Sequence, residues 1–225
     1  INFITYIRKL NCYMSLKLPK GLISPEKAKE LNHQERADDT TLVHSIVEKL
    51  DKNLNLKGLS SLKHYLSSID LSKNTKLEIL TLGGVYEGNL WVTNQIDIDI
   101  SNNPNIFQLS LYGCKNLNLG NNEKLTRATL YYGHFYGLNF NGVPNINSID
   151  IRNIKNENFD FSNNHKLSLL TINDNQIQSL ILNEEIETLG IHNCDLINGI
   201  DISEYVNLNT LSIVNSISCI KISQN

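Results

Sequence analysis

The stretch NFDFSNNHKLSLLTINDNQIQSLILN, residues 158–183, sets apolar side chains at every second place, twice in about twenty residues, with asparagines between. Phe159 and Phe161 open it, and Leu170 and Ile172 repeat the pattern before Leu180 and Leu182 begin it again. Alternation with a period of two over so short a span marks a half-buried strand, one side chain inward and the next outward.

The same signal recurs along the chain at eight anchors: Ile69-Asp-Leu-Ser, Ile98-Asp-Ile-Ser, Leu117-Asn-Leu-Gly, Leu138-Asn-Phe-Asn, Phe159-Asp-Phe-Ser, Leu180-Ile-Leu-Asn, Ile200-Asp-Ile-Ser and Ile220-Lys-Ile-Ser. Their spacings are 29, 19, 21, 21, 21, 20 and 20 residues. A second alternating pair follows eleven residues after the anchor at Leu80/Leu82, Leu109/Leu111, Ala128/Leu130, Ile149/Ile151, Leu170/Ile172 and Leu211/Ile213, and nine residues after it at Leu189/Ile191. Regularity of this kind outranks any single-residue signal. Two strands per coil predict two sheets. Because neither strand alone hides its apolar side, the coils must stack with each strand parallel to its equivalent about 4.8 Å away. The expected fold is mainly β, a parallel solenoid of about seven coils over residues 59–225, with two short strands in each coil of 20–21 residues.

Asn74, Asn103, Asn122 and Asn164 each stand five places after an anchor, where the chain must turn a corner. A side-chain amide stacked there can bond the backbone groups the turn leaves unpaired, in its own coil and the next, so these four are expected to form a structural ladder. Val143, Glu185 and Tyr205 replace the corner asparagine in three coils. The run Leu167-x-x-Leu170-x-Ile172-x-x-Asn175-x-Ile177-x-x-Leu180-x-Leu182 resembles the leucine-rich-repeat pattern LxxLxLxxNxLxxL. Its nested ten-plus-eleven form is similar to the short bacterial subclass called IRREKO. The resemblance covers residues 59–225 and implies a binding scaffold; proteins of that kind take many unrelated ligands.

Residues 24–57 read differently. Ser24-Pro25-Glu26 opens a helix, and two helices are expected, with Leu42, Ile46, Val47 and Leu50 as an apolar stripe that caps the first coil. The chain thus divides into an N-terminal segment over 1–58 and the solenoid over 59–225. The other end stops one strand into a new coil, leaving Ile220 and Ile222 on a parallel edge. Bare edges invite pairing, so either further chain or end-to-end packing on another subunit is expected there.

Charge and cysteines bound the partners and the compartment. Lysine and arginine outnumber acids ten to seven in residues 1–58, and acids outnumber bases sixteen to ten in 59–225. Neither part suits a polyphosphate, so no nucleic-acid partner is expected. No apolar run reaches the roughly 18 residues of a membrane span. The opening INFITYIRKLNCY, ahead of the only methionine, Met14, lacks the features of a signal peptide. Cys114 and Cys194 occupy equivalent places four coils apart, roughly 19 Å at the strand spacing, too far for a disulfide. Free thiols are expected, and with them a reducing, cytoplasmic setting, the alternative being the cell surface or secretion if the N-terminus is truncated.

Candidate sites lie on outward-facing columns. After the second strand of each coil one column reads Gly83, Tyr112, Tyr131, Arg152, Asn173, His192, Val214, and the next turns add Tyr132, His134, Phe135 and Tyr136. The longer first repeat carries GGVYEGNLWVTNQ, Gly83 to Gln95, with Tyr86 and the only tryptophan, Trp91. Aromatic clusters near an arginine suit protein interfaces, because flat rings bury much area while losing little rotamer entropy. Stacking on sugar rings is the alternative use, and a merely stabilising cross-strand ladder is the plain one. On the anchor strands Asp70 and Asp99 occupy successive coils and could act as an acid pair on a glycan, or simply face solvent. A third column, Thr81, Ser110, Thr129, Asp150, Thr171, Gly190, Ser212, is of ordinary exposed strand residues interrupted at Asp150 and Gly190. The sequence contains no GxSxG, GxxxxGK[ST] or HExxH, and Cys114 with His134 lacks a third metal ligand. The expectation is a non-enzymatic scaffold without cofactor or metal. It would recognise a protein through Tyr86, Trp91, Tyr112, Tyr131, Tyr132, His134, Tyr136 and Arg152, the alternatives being a carbohydrate-binding or carbohydrate-active solenoid and a structural segment of a larger adhesin.

Overall fold

The alternating second pairs of the repeat become the inward side of one continuous parallel sheet in the computed structural model, which describes residues 50, 53–61, 69–83, 85–87, 90–92, 96–135, 137–196, 198–216 and 220–221. Its eight strands are Gly58–Ser61, Ile79–Gly83, Gln108–Tyr112, Arg127–Tyr131, Ser148–Arg152, Leu169–Asn173, Thr188–His192 and Thr210–Val214, hydrogen-bonded to one another in that order. The register never slips: Leu59, Leu80, Leu109, Ala128, Ile149, Leu170, Leu189 and Leu211 stand side by side across the whole sheet. From Leu59 to Leu189 these side chains are at most 2% exposed, whereas Leu211 in the last strand is 37% exposed. Sealing a leucine or isoleucine side chain is worth about 1.5–3 kcal/mol, and in a stack it is the next coil that provides the seal. The fold is a parallel β-solenoid.

The strand Gly58–Ser61 escapes the alternation rule because the residue in register with Leu82 is Ser61, not an apolar one. Among the described residues the expected second sheet is not continuous either. The anchors form isolated two-stranded ladders, Asp97–Asp99 with Asn116–Asn118, Asn158–Asp160 with Ser179–Ile181, and Ile200–Asp201 with Ile220–Lys221. Around Ile69 and Leu138 the described residues hold no strand. In six of the eight anchors the outward residue keeps the extended run short. Asp70, Asp99, Asn118, Asn139, Asp160 and Asp201 each accept the backbone N–H two residues on, from Ser72, Ser101, Gly120, Asn141, Ser162 and Ser203 at 2.7–3.1 Å. This side-chain turn ends the extended run almost as soon as it starts.

At the corners the amide groups point back along the stack. Asn74 Nδ2 donates to Leu50 O and Asn53 O at 2.9 and 3.0 Å, and Asn103 Nδ2 to Leu71 O and Asn74 O, both at 2.9 Å. Asn122 Nδ2 reaches Asn103 O at 3.0 Å, and Asn164 Nδ2 reaches Phe140 O and Val143 O at 3.0 and 3.2 Å. The bonds thus go to the preceding coil, not to both coils as the sequence suggested. The four Oδ1 atoms are buried with no hydrogen-bond partner among the described residues. Where Val143 replaces asparagine the backbone turn is the same, Val143 N to Phe140 O at 3.0 Å and Ile146 N to Val143 O at 3.2 Å. Where Glu185 replaces it, Asn183 takes over: its Nδ2 donates to Leu167 O at 3.0 Å while its Oδ1 accepts Glu185 N at 2.7 Å.

The helices expected over residues 24–57 lie almost wholly outside the described residues. The insertion after Gly83 is an antiparallel hairpin, Val85–Glu87 with Leu90–Val92, which pairs Tyr86 with Trp91. No helix of the described residues is long and apolar enough to cross a membrane.

Candidate functional site

The unbroken register turns the outward residues of the sheet into three straight columns. The column at the strand ends pairs Gly83 with Tyr112, Tyr112 with Tyr131, Tyr131 with Arg152, Arg152 with Asn173, Asn173 with His192 and His192 with Val214. Its first half is aromatic. The rings of Tyr112 and Tyr131 meet edge to face, centroids 5.4 Å apart at 89°, and Tyr132 meets Tyr131 at 6.1 Å and 84°. Such contacts are worth about 0.5–1.5 kcal/mol beyond burial. All three tyrosines are half-buried.

The second half is a chain of polar bonds. Arg152 Nε donates to Asp174 Oδ2 at 3.0 Å, Asp174 Oδ1 accepts Asn193 Nδ2 at 2.9 Å, and Asn193 Oδ1 accepts Asn215 Nδ2 at 3.2 Å. Beside it His192 sits between Asn173 Oδ1 at 3.0 Å and Ser212 Oγ at 2.9 Å. The join between the halves is Tyr131, whose hydroxyl donates to Asp150 Oδ2.

Tyr132 occupies a place built for other residues. The position after each of the last six strands is left-handed, with φ of 80° at Gly113, 56° at Tyr132, 47° at Asn153, 54° at Asp174, 53° at Asn193 and 49° at Asn215. Glycine, asparagine and aspartate tolerate that region, whereas a tyrosine there costs roughly 1–2 kcal/mol. The stack imposes it, since Tyr132 N donates to Arg152 O at 2.8 Å just as Asn153 N donates to Asn173 O at 2.9 Å. Strain kept at a large, half-buried ring is the sort of outlier that marks working surfaces.

Burial first and the Asp150 hydrogen bond second push the Tyr131 phenol well above the ordinary tyrosine range. Because the folded value is raised, the native state holds a proton that the unfolded chain gives up above pH of about 10, and stability is lost as pH rises through that region. In an NMR titration the Tyr131 ring is expected to stay unshifted while exposed tyrosines titrate. A ring titrating at the ordinary value would show that the bond to Asp150 does not hold in solution.

Of the other expected site residues, His134 is half-buried and its backbone N–H donates to Cys114 O at 2.9 Å. Tyr136 lies outside the described residues, and for Tyr86 and Trp91 the backbone hairpin alone is described. Phe135, named with them as an outward ring, is instead fully buried at φ 41°. It fills the inward slot occupied in other coils by Cys114, Ile154, Asn175 and Cys194, because Gly133 at that slot has no side chain.

Asp70 and Asp99 are each engaged by the turn that follows them. Each is held below the usual carboxylate range, by the side-chain hydroxyl of Ser72 and of Ser101 before any other cause, so neither has the raised pKa of a general acid. Cys114 and Cys194 are free and buried, and burial pushes the Cys114 thiol up to about 12. Packing alone accounts for both thiols, which removes the support they lent to a cytoplasmic setting. Among the described residues no group of three or more His, Cys, Asp and Glu side chains could hold a metal ion.

Sequence reasoning missed Asp150 and Asp174. The signal for Asp150 was present: a lone acid in the hydroxyl column, between Thr129 and Thr171. Asp174 gave none, because an aspartate after a strand looks like any turn residue.

No protein-family model and no curated protein matches the sequence. Among solved structures, the chain is similar to the functional domain of InlJ from Listeria monocytogenes, which includes a cysteine ladder, at 17% identity over 78% of this chain and 47% of that one, with a TM-score of 0.46. It is also similar to an internalin, InlF, from Listeria monocytogenes, at 15% identity over 81% of this chain and 88% of that one, with a TM-score of 0.27. The chain spans about half the length of the InlJ domain it matches.

Proposed function

We propose that this chain is a non-enzymatic binding scaffold of the leucine-rich-repeat type, built on the nested ten-plus-eleven repeat, which recognises a protein partner through the aromatic end of its sheet. Tyr112, Tyr131, Tyr132 and Arg152 form the centre of the surface. The hairpin bearing Tyr86 and Trp91, and the turn bearing His134 and Tyr136, flank it in sequence. The observation that carries this reading is the perpendicular packing of Tyr112, Tyr131 and Tyr132 in register with an ion-paired arginine. Rings held on a rigid sheet lose little entropy when a partner covers them, and tyrosine and arginine dominate the energetics of protein interfaces. The glycan-hydrolysing alternative rested on Asp70 and Asp99, whose carboxylates are committed to turning the chain.

The test is an affinity pull-down with mass-spectrometric readout, comparing the wild type with a Trp91→Ala, Tyr131→Ala, Tyr132→Ala variant already shown to be folded by circular dichroism. A protein captured by the wild type and reduced at least about tenfold with the variant is the expected result, since two or three interface rings are each worth more than 1 kcal/mol. Equal capture by both forms would reduce the aromatic surface to a structural ladder.

A further inference from the structure

Asp150 is the one charged side chain in a column otherwise made of threonine, serine and glycine, with Thr129 and Thr171 as its register partners. Its Oδ2 accepts the Tyr131 hydroxyl, while its Oδ1 is buried with no hydrogen-bond partner among the described residues. The outward columns on either side of it carry Arg152 and, on the neighbouring strand, Arg127. Arg152 Nε is engaged by Asp174 at 3.0 Å, and no ion pair among the described residues holds Asp150. Leaving a half-buried carboxylate without a cation costs stability.

The same bond fixes what Tyr131 offers outward. A phenol that donates its proton to a carboxylate beneath it presents only lone pairs to a partner, made more negative by the charge behind them. The Tyr131 ring meets both Tyr112 and Tyr132 at close to a right angle, and a ring face attracts positive charge. Burial, and after it the charge of Asp150, raises the Tyr112 phenol as well. An anion would meet Asp150, and an apolar group would leave it uncompensated. A donor-rich cation bonds the Tyr131 hydroxyl oxygen and offsets the charge of Asp150 behind it, and the planar guanidinium, with five N–H donors and a face that stacks on rings, fits best.

We propose that this surface accepts a basic side chain, arginine before lysine, presented by the protein partner, with Tyr112, Tyr131 and Tyr132 as its walls and Asp150 as its buried counter-charge. The inference rests on the protein-binding reading above and narrows it.

The probe is a short peptide, acetyl-Gly-Arg-Gly-amide, titrated into the full chain while the tyrosine ring signals are followed by NMR. The matching peptide with citrulline in place of arginine keeps the shape and removes the charge. The arginine peptide is expected to shift the rings of Tyr112, Tyr131 and Tyr132 and to bind about tenfold more tightly than the citrulline one. Asp150→Asn, close to isosteric, should abolish that difference at unchanged thermal stability or better, and Tyr131→Phe, which keeps the ring, should reduce it. Equal binding of the two peptides, or unshifted rings with the arginine peptide, overturns the proposal. So does a protein partner whose capture depends on Tyr131 but is untouched by Asp150→Asn, a result that would leave the protein-binding function standing.

Discussion

Replacing Asn103 by aspartate is expected to destabilise the solenoid by about 3–5 kcal/mol at neutral pH, as an uncompensated buried charge does. The Asn103 side chain is fully buried, and its amide nitrogen points at two carbonyl oxygens, Leu71 O and Asn74 O, each 2.9 Å away. Both neighbours are acceptors, so the group between them must be a donor, and a carboxylate there faces two lone pairs in a site from which water is excluded. The pH dependence follows from the direction of the shift. Surrounded by acceptors, the introduced carboxyl would keep its proton to a higher pH in the folded state than in the unfolded one, where it ionises at about 3.9. The loss is therefore smallest at about pH 4 or below, where the protonated acid still donates one of the two bonds, and grows as pH rises. Urea unfolding midpoints at pH 4 and pH 7 would show it. Asn103→Ala is expected to lose about 2–4 kcal/mol with no such pH slope, because it strands two carbonyls but adds no charge. Equal losses for the two variants at both pH values would mean that the amide does not bridge the coils.

The second large effect is expected at Gly133, where alanine should cost about 3 kcal/mol or more. A Cβ built there would lie 2.1 and 2.5 Å from Cε2 and Cδ2 of Phe135 and 2.6 Å from Cys114 O. One of those neighbours is backbone, and the other is a ring with no exposed surface, so neither yields cheaply. Driving the ring out would cost about what truncating a buried phenylalanine does, 3–5 kcal/mol. Gly137 supplies the contrast: its φ is 67° and nothing lies within 4 Å of its added Cβ, so alanine there costs about 1 kcal/mol, through the backbone alone. Since Gly133 directly follows Tyr131 and Tyr132, Gly133→Ala should also disturb the aromatic surface, and Gly137→Ala much less. Thermal melts of the two variants separate space from conformation. Similar melting points would mean that Phe135 is not packed against Gly133.

What the sequence by itself determined is the repeat and its consequence. Apolar residues at Leu80/Leu82 and their equivalents leave a chain no way to hide them except by stacking coils, so the parallel sheet, its inward rows, the corner places of Asn74, Asn103, Asn122 and Asn164, and the alignment of Tyr112, Tyr131 and Arg152 were all legible from spacing. Spacing carries register because every coil must present the same phase to its neighbour. Tertiary structure alone decided how short the anchor ladders stay, because Asp70, Asp99 and Asp160 could as well have faced solvent as capped the turn after them. It also sent Phe135 inward, a choice made by the space above Gly133 and not by any pattern of polarity. The bond between Tyr131 and Asp150 joins residues 19 apart in sequence on adjacent strands, and side-chain reach across a ladder is invisible in a linear pattern. Periodicity thus fixed where the backbone runs. The chemistry of the surface came from which side chains the stacked coils brought within a hydrogen bond of each other.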